Sequence, residues 1–275
     1  MQGTLWLVGT PIGNLSDLAP RARETFASVD LIACEDTRRT GRLLAGLDIR
    51  KPLVSFFEGN ERERVEGLVA RMLAGASVAL ATDGGMPSVS DPGYRLVAAC
   101  VEADIDVRVV PGPSAALAAL VISGLPTDRF VFEGFLPRKA GERMRRLEAL
   151  RDEQRTLVVF ESPVRVRAML DDALVALGDR RIAVARELTK LHEEVLRGRI
   201  AEVLMHLGET DPKGEVVVVI EGRHEPEVPP MHTLVDEARA LVESEAMRKR
   251  DAARLVAARH GAGANDVYRA MLEPD

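Results

Sequence analysis

The sequence of 275 residues predicts an α/β protein with two successive α/β domains and a small helical extension at its C-terminus. Three observations predict it. Strand-like and helix-like segments alternate from residue 5 to residue 110, the alternation restarts at residue 130, and only helical patterns follow residue 230. Such alternation implies a doubly wound parallel sheet, whose functional loops lie outside the carboxyl ends of the strands.

The first domain is expected over residues 1–113, with helices between its strands. Ser16 can cap a first helix that has Pro20 in its first turn, and apolar residues at helical spacing predict another helix from Val65 to Leu73. A further helix is predicted at Gly93–Glu102. The predicted strands are Leu5–Val8, Leu31–Cys34, Leu53–Phe56, Ser77–Thr82 and Val107–Val110.

The second α/β domain is expected over residues 114–222, with strands at Phe130–Glu133, Leu157–Phe160, Ile182–Ala185 and Glu215–Ile220. Helical patterns fall near residues 141–152, 163–176 and 199–207. Residues 223–230, which combine charge with prolines, are predicted to be a linker. Residues 231–275 resemble a small helix-turn-helix with a glycine turn, which fits an RNA contact and also fits a packing or dimer appendage.

The composition describes an ordinary soluble globular protein, with 46% hydrophobic and 29% charged residues. A net charge of −6 argues against a general nucleic-acid binder but leaves room for local basic patches. Cys34 and Cys100 form neither a disulfide framework nor a metal cluster, and no ligand spacing predicts a metal site. Short apolar runs and the lack of a signal peptide predict a cytoplasmic protein that is not bound to a membrane.

Glycine, proline and charged residues concentrate where the predicted strands end. The opening loop, LVGTPIGN, is neither a P-loop nor a dinucleotide fingerprint, because Gly9 and Gly13 have the wrong spacing and no lysine follows them. Loops at the carboxyl ends of parallel strands converge at one rim, so these loops together predict a ligand site. They are Gly9–Asn14, Glu35–Thr40, Asp83–Gly93, Pro111–Ala115, Glu161–Arg165 and Glu187–Gly198.

The loop that begins at Asp83 is the most informative. Gly84 and Gly85 let a ligand approach the backbone, since no Cβ intervenes, and Asp83 can accept hydrogen bonds from a hydroxyl or an amine. Asp91 fits either a helix cap or a ligand contact. Further along the chain, a rigid Pro-Gly-Pro turn places Ser114 at a helix N-terminus, where free amides can hold a polar ligand group.

Several sequence blocks together resemble the tetrapyrrole methylase superfamily and, within it, the methyltransferases of small-subunit ribosomal RNA. Across residues 4–222 the blocks run in the family's order: GTPIGNLSDLAPRA, CEDTRRTGRLL, DGGMPSVSDPG, VPGPSAALAALVISGLP, FESPVR and ELTKLHEEVLRG. The EDTR and ELTK blocks distinguish this branch from porphyrin, corrin and diphthine methylases. The resemblance implies a homodimer whose subunits bind S-adenosylmethionine in the active-site cleft between two α/β domains.

The same resemblance implies a reaction. It is methylation of a ribose 2′-hydroxyl of a cytidine, cytidine 1402, in the decoding region of 16S rRNA within the small ribosomal subunit. Two alternatives remain: a methylase of tetrapyrroles or other small substrates on the same fold, and a ribosome-binding protein without enzymatic activity.

The resemblance also assigns roles to the loops. Pro11 would form the floor beneath the cofactor, and Ser114 and Ala115 would add main-chain contacts. Phe160 and the Lys213–Glu215 turn, with Gly214 and Glu215, would flank the adenine. The residues expected around the methionine and ribose are Asp83, Gly84, Gly85, Met86, Pro87 and Val89. The chain departs from the family at Val164, where histidine is usual, so that histidine cannot be indispensable for the chemistry.

Methyl transfer to a ribose hydroxyl sets the chemical requirements of the site. Alignment of the oxygen with the methyl group can supply about 7–11 kcal/mol of the barrier. The hydroxyl is a poor acid, so a nearby base or cation would help it to lose its proton. Charged residues at strand ends are the candidates, although they also fit solvated ion pairs. They are Asp36, Glu161, Glu187 and Lys190, with Arg38 as a clamp on phosphate or sugar.

An RNA substrate requires positive surface on an acidic protein. Two basic stretches supply it, one at residues 137–146 and one that begins at residue 248. The residues predicted to bind RNA are Arg138, Lys139, Arg143, Arg145, Arg146, Arg248, Lys249 and Arg250.

Overall fold

A computed structural model describes residues 2–208, 214–223, 229–244 and 247–273. Residues 1–222 form one compact unit and residues 223–275 form another. The first unit contains two five-stranded sheets with helices packed on them, and the described part of the second unit is helical. The predicted fold class, two α/β sheets and a C-terminal helical extension, is confirmed. Residues 224–228 of the predicted linker lie outside the described ranges.

The first sheet has five parallel strands. They are β1 (Thr4–Val8), β2 (Leu31–Cys34), β3 (Leu53–Ser55), β4 (Val78–Ala81) and β5 (Asp106–Val110), and their spatial order is β3-β2-β4-β1-β5. The connecting helices are α1 (Pro20–Ser28), α2 (Thr37–Gly46), α3 (Glu61–Leu73) and α4 (Tyr94–Glu102). Leu31 packs with residues of α3 and α4, whereas the next residue, Ile32, packs with α1 and α2. Helices therefore cover both faces, as a doubly wound sheet requires.

Two helices of this sheet begin differently from the sequence prediction. Asn14, and not Ser16, acts as a cap, and it caps a separate 3₁₀ turn at Leu15–Asp17. Helix α1 then begins at Pro20, whose missing N–H costs nothing at a first helical position. The prediction of a cap at Ser16 is therefore wrong.

Helix α4 corrects the reading of Asp91. The helix begins at Tyr94, and its N-cap is Gly93 with a φ of 142°, a conformation open to glycine. Asp91 lies before that cap and therefore does not cap the helix.

The second sheet is mixed. Its strands are β6 (Phe130–Phe135), β7 (Thr156–Glu161), β8 (Arg181–Arg186), β9 (Glu194–Arg199) and β10 (Val216–Ile220), in the spatial order β6-β7-β10-β8-β9. Strands β6 and β7 are parallel, and the other neighbours are antiparallel. The sequence pattern gives no clear signal for β9, which was expected to be loop, because half of the residues of this edge strand are charged.

The helices on this sheet are α5 (Ala115–Ser123), α6 (Ala140–Ala149), α7 (Val166–Leu177) and α8 (Ile200–Leu207). Val159 packs on the face that α6, α7 and α8 cover, and Val158 packs on the face that carries α5. Ile12, from the opening loop of the first sheet, packs into the cluster on the α5 face. This face of the second sheet therefore meets the loops of the first.

The second unit contains the helices α9 (Met231–Ser244), α10 (Lys249–His260) and α11 (Ala264–Ala270). Leu234, Val256 and Val267, one from each helix, are fully buried in a common cluster. Gly261 ends α10 in the left-handed conformation, so the predicted helix, glycine turn and helix are present. Within the described residues, no helix has the length and apolarity needed to cross a membrane.

Candidate functional site

Loops of both sheets enclose a cavity of about 680 Å³ in the first unit. Its size lies in the range of roughly 300–1,000 Å³ that is usual for small-molecule sites. The cavity brings together residues that the sequence spreads over more than 200 positions. The predicted site residues that line it are Pro11, Asp83, Gly84, Gly85, Met86, Val89, Ser114, Ala115, Phe160, Glu161, Lys190, Gly214 and Glu215.

The opening loop forms one wall by close backbone packing. Thr10 and Gly85 exchange two backbone hydrogen bonds, at 2.9 and 3.0 Å, which join the first loop to the loop after β4. A Cβ on Gly9 would lie 2.6 Å from Cα of Gly112 and would clash. A Cβ on Gly13 would lie 2.5 Å from Cγ of Lys190. The two glycines therefore permit contacts with three other loops, which explains a spacing that fits no phosphate motif.

The loop after β4 is held in an unusual conformation. Ser88 and Ser90 have φ angles of 72° and 59°, in the left-handed region that non-glycine residues seldom adopt. Each such residue costs on the order of 1–2 kcal/mol, so other contacts must hold the loop in place. The carboxylate of Glu61, at the start of α3, accepts hydrogen bonds from the amides of Gly93 and Arg95 at 3.1 and 3.2 Å. This buried carboxylate anchors the far end of the loop.

Several buried hydroxyl groups around the cavity lack a hydrogen-bond partner within the described part of the chain. They belong to Ser88, Ser162 and Thr189. Ser162 lines the cavity, and the other two are next to lining residues in the sequence. Buried polar groups in proteins are nearly always satisfied. The concentration of free hydroxyls here is what a site for a polar ligand would show.

Asp83 is positioned by helix α2. Its Oδ2 accepts from Nη1 of Arg39 at 2.9 Å, and its Oδ1 accepts from the amide of Asp36 at 3.2 Å. Arg39 lines the cavity, whereas its neighbour Arg38 has a side chain that is 82% exposed. Thr40 is buried, and Arg38 lies about 200° from it around the helix, which turns Arg38 outward. Arg39 is thus the arginine that lines the cavity, and Arg38, the predicted clamp on phosphate or sugar, lies outside the lining.

Asp36 also has a structural task. Its carboxylate caps α2 by accepting the amide of Arg38 at 2.7 Å, and it pairs with the Arg38 guanidinium at 3.0 Å. The hydrogen bonds from the Arg38 side chain and amide lower the pKa of Asp36 to about 2. Asp36 is absent from the cavity lining and would be a very weak base, so it is corrected from catalytic candidate to helix cap.

Two other carboxylates in the cavity, those of Asp91 and Glu35, have pKa values that are raised and not lowered. Burial, assisted by the negative charges of Glu35 and Asp83, raises the pKa of Asp91 to about 6 against an opposing interaction with Thr82. Burial and the charge of Asp83 also raise the pKa of Glu35. Both side chains line the cavity. With a pKa of about 6, Asp91 can both exist ionised and accept a proton at pH 7.

The ELTK block supplies a fixed cation. Nζ of Lys190 lies 2.8 Å from Oε1 of Glu187 and 3.3 Å from Oε2 of Glu215. Burial lowers the pKa of Lys190, but the two carboxylates outweigh it and leave the pKa above its ordinary value. Glu187 does not line the cavity, and its pKa is lowered chiefly by the hydrogen bond from Lys190. Glu187 therefore orients Lys190 and is not itself a candidate base.

Glu161 lines the cavity, but its side chain has no exposed surface. Its Oε2 accepts from Nη2 of Arg165 at 3.0 Å, and its Oε1 accepts from the amide of Ser162 at 2.7 Å. A carboxylate with both oxygens engaged in this way serves as support for the loop. We therefore do not propose Glu161 as the catalytic base.

An aromatic cluster forms the wall from the second sheet. The Phe160 ring makes edge-to-face contacts with Phe132 and Phe135, at centroid distances of 4.9 and 5.6 Å. Phe160 was predicted to face the ligand, and it lines the cavity together with Phe135. No sequence signal singles out Phe135. By contrast, Pro87 is buried behind its loop without cavity surface, and Lys213 lies outside the described residues.

Ion pairs and burial restrain part of the first basic stretch, residues 137–146. Arg143 is 6% exposed and pairs with Asp172 at 2.7 Å, so it is corrected from RNA contact to structural ion pair. Arg146 pairs with Glu133 at 2.7 Å, and Lys139 pairs with Glu142 at 3.2 Å. The exposed members are Arg138, Lys139, Arg145, Arg146, Arg248, Lys249 and Arg250. Within the described ranges, no cluster of three or more His, Cys, Asp or Glu side chains could hold a metal ion.

Comparison with known proteins identifies relatives over most of the chain. The family model of the tetrapyrrole (corrin/porphyrin) methylases matches residues 4–204. A ribosomal RNA small subunit methyltransferase I from Synechocystis sp. is 44% identical over 98% of this chain and 98% of its own. A relative of the same name from Thermotoga maritima is 48% identical over 80% of this chain and 99% of its own.

Solved structures of uroporphyrin-III C-methyltransferase from Thermus thermophilus share the fold. One is 25% identical and superposes with a TM-score of 0.57, over 79% of this chain and 94% of its own. Another, complexed with S-adenyl homocysteine, is 22% identical with a TM-score of 0.53, over 79% and 97% of the two chains.

Proposed function

This chain belongs to the tetrapyrrole methylase family and, within it, to the ribosomal RNA small subunit methyltransferase I group, and on that premise we propose its reaction. The protein is an S-adenosylmethionine-dependent rRNA methyltransferase. We propose that it methylates the ribose 2′-hydroxyl of cytidine 1402 in the decoding region of 16S rRNA. The observation that carries the proposal is the convergence of the glycine loops, Asp91 and Lys190 on one cavity.

The residues of the cavity fit the cofactor. Gly84 and Gly85 expose backbone to it, and Ser114 offers the N-terminus of α5, where it caps the helix by accepting from the Leu117 amide at 3.4 Å. Phe160 supplies an aromatic ring for the adenine. The unpaired hydroxyls of Ser88, Ser162 and Thr189 provide hydrogen-bonding groups for a ligand with many polar atoms.

When bound, S-adenosylmethionine would supply a methyl group on a positively charged sulfur. In the transfer, the hydroxyl oxygen would bond to the methyl carbon, and the electrons of the broken carbon–sulfur bond would stay on sulfur. The hydroxyl group would lose its proton. We assign Asp91 as the acceptor of that proton. It lines the cavity, and burial holds its pKa at about 6, so it is ionised at pH 7. Asn at this position would keep the shape and lose the base.

Lys190 has a complementary role in the proposal. Its pKa is raised above the ordinary value, so it stays protonated and does not serve as a base. A fixed cation next to an oxygen that gains negative charge stabilises the transition state without reorganisation. Glu187 and Glu215 keep the ammonium group in place.

The RNA itself is proposed to be held through its phosphates by exposed basic side chains, which each of the two units carries. Arg138 and Arg145 are exposed on the first unit, and Arg248, Lys249 and Arg250 are exposed on the second. Phosphate contacts by these side chains would make binding depend on salt. From the family resemblance we also propose that the protein works as a homodimer in the cytoplasm, on the small ribosomal subunit.

The test combines cofactor binding with substrate choice. Calorimetry should show binding of S-adenosylmethionine to the purified full chain, and labelled methyl groups should enter 30S subunits from a strain that lacks this modification. Mapping of ribose methylation should then place the product at cytidine 1402. Transfer to uroporphyrinogen with none to 30S subunits would indicate the small-substrate alternative, and 30S binding without cofactor binding would indicate a ribosome-binding protein.

A further inference from the structure

Phe135 is a large aromatic side chain at the cavity that the reaction described so far does not use. It is the last residue of β6, it lines the cavity, and 59% of it is exposed. Single exposed apolar side chains are common on protein surfaces, so exposure alone says little. The way in which the chain holds Phe135 is more informative.

A β-bulge turns Phe135 towards the cavity. Phe132 pairs with Val158 and Phe135 pairs with Phe160, and the register shifts between Phe132 and Gly134. In a regular strand, residues three apart point to opposite faces. The extra residue of the bulge places Phe135 on the same face as Phe132 and Phe160, which is the face that meets the loops of the first sheet.

The bulge also lies against the cofactor loop. Gly134 has a φ of 63°, and a Cβ there would approach Oγ of Ser90 to 2.9 Å. Ser90 lines the cavity from the opposite wall. Phe135 therefore lies where strand β6 of the second sheet contacts the loop after β4 of the first sheet.

The segment that follows Phe135 is firmly held. Nη2 of Arg165 donates to the carbonyl oxygen of Leu136 at 2.9 Å and to Oε2 of Glu161 at 3.0 Å. The ring also makes an edge contact with Phe160. An exposed ring on a rigid support is preorganised for a flat ligand, because little side-chain freedom is lost on binding.

We propose that Phe135 is the platform on which the base of the target nucleotide stacks while its ribose enters the cavity; this inference rests on the proposed function. Proteins that read unpaired nucleotides stack the bases on aromatic rings beside basic side chains that hold phosphate. Arg138, three residues further on, is exposed and supplies such a charge. The cofactor adenine is assigned to Phe160, which is only partly exposed and packs into the α5 cluster.

The proposal is tested with Phe135→Ala, Phe135→Tyr and a control, Phe130→Ala, at the other end of β6. Stacking on one base is worth about 1–3 kcal/mol by alanine substitution, so Phe135→Ala should lower kcat/KM for 30S subunits by roughly 5- to 150-fold. The affinity for S-adenosylmethionine should stay within about twofold, because the proposal places the adenine on Phe160 and not on Phe135. Phe135→Tyr and Phe130→Ala should behave like the wild type.

A modified RNA separates stacking on the target base from a general effect. A decoding-region hairpin is prepared intact and with an abasic site at the target nucleotide, and its affinity is measured by fluorescence anisotropy. Phe135→Ala should weaken binding of the intact hairpin and leave binding of the abasic hairpin unchanged. Equal losses on both hairpins, loss of cofactor affinity, or an unchanged variant would each overturn the stacking role. A wild-type protein that neither binds RNA nor methylates 30S subunits would instead overturn the proposed function, and stacking with it.

Discussion

The two walls of the cavity are built by different means. The wall from the first sheet is mainly backbone, with close packing between Gly9 and Gly112 and left-handed residues at Ser88 and Ser90. The wall from the second sheet consists of side chains, chiefly aromatic rings and the Lys190 ion pairs, that other residues orient. A backbone wall accepts one ligand shape, whereas a side-chain wall changes with single substitutions. We therefore expect the first wall to hold the methionine and ribose of the cofactor and to carry the base, and the second wall to hold the adenine and to determine the choice of substrate.

The largest effect is expected at Asp91, the ionisable group of the backbone wall. Asp91→Asn should lower kcat by roughly 100- to 10,000-fold, as for removal of a general base, with little change in cofactor affinity. In the wild type, kcat/KM should rise with pH to a plateau above a pKa of about 6, because only the ionised carboxylate accepts a proton. Asp128→Asn, at an exposed position before β6, is the control.

Asp91→Asn, which should lower activity, should at the same time raise the stability of the fold at alkaline pH. The folded-state pKa of Asp91 is raised, so its favourable contribution is complete below its ordinary pKa and is lost as the pH rises through about 6. Asp91→Asn should therefore melt at a higher temperature than the wild type at pH 8, and the advantage should disappear at pH 4. A lower Tm at pH 8 would show that the carboxylate is not strained in the fold and would remove the basis for its role.

Gly9→Ala should displace the opening loop from the two loops that it packs against. The new Cβ would lie 2.6 Å from Cα of Gly112 and 2.8 Å from Sδ of Met86, and the backbone partner cannot move aside cheaply. A displacement of about 1 Å in such a site can cost roughly 100-fold, so we expect at least that loss of affinity for S-adenosylmethionine by calorimetry. Gly46→Ala is the matched control, since nothing lies within 4 Å of its Cβ.

Lys190→Gln tests the side-chain wall. Loss of the cation should lower kcat about 100-fold, as for removal of one preorganised donor, and Lys190→Arg should recover part of it. Because Lys190 stays charged through the neutral range, the pKa of about 6 that is expected in the wild-type pH profile should persist in the variant. A profile in which that limb vanishes would mean that Lys190, and not Asp91, sets the pH dependence.

The sequence predicted the backbone wall well and the side-chain wall poorly, for a physical reason. Glycine and proline at strand ends are local signals, and the parallel topology makes those ends converge. The blocks around Gly9, Asp83 and Ser114 accordingly all line the cavity or pack against its lining. The alternation of strand and helix likewise predicted the two sheets.

What could not be predicted depends on register and phase. The choice between Arg38 and Arg39 requires the position of Asp36 as the helix cap, and the charged block hid that helix start. The direction of Phe135 depends on a one-residue bulge, which no alternation pattern shows. Strand β9 is a charged edge strand without an apolar signal. Glu61 accepts a hydrogen bond from an amide more than 30 positions away, and a sequence pattern cannot predict such a long-range contact.

Glu61 therefore provides the smallest and most specific prediction, because it supports the backbone wall without touching the cavity. Glu61→Gln keeps one acceptor oxygen but loses the charge that favours the N-terminus of α4. The strained loop should then sample other conformations, and the KM for S-adenosylmethionine should rise by roughly 10-fold while kcat at saturating cofactor is retained, as expected for lost ground-state binding. Glu63→Gln, exposed in the same first turn of α3, should change neither. If Glu61→Gln instead lowers kcat with an unchanged KM, Glu61 serves to position Asp91 for proton transfer, and its proposed role in cofactor binding is wrong.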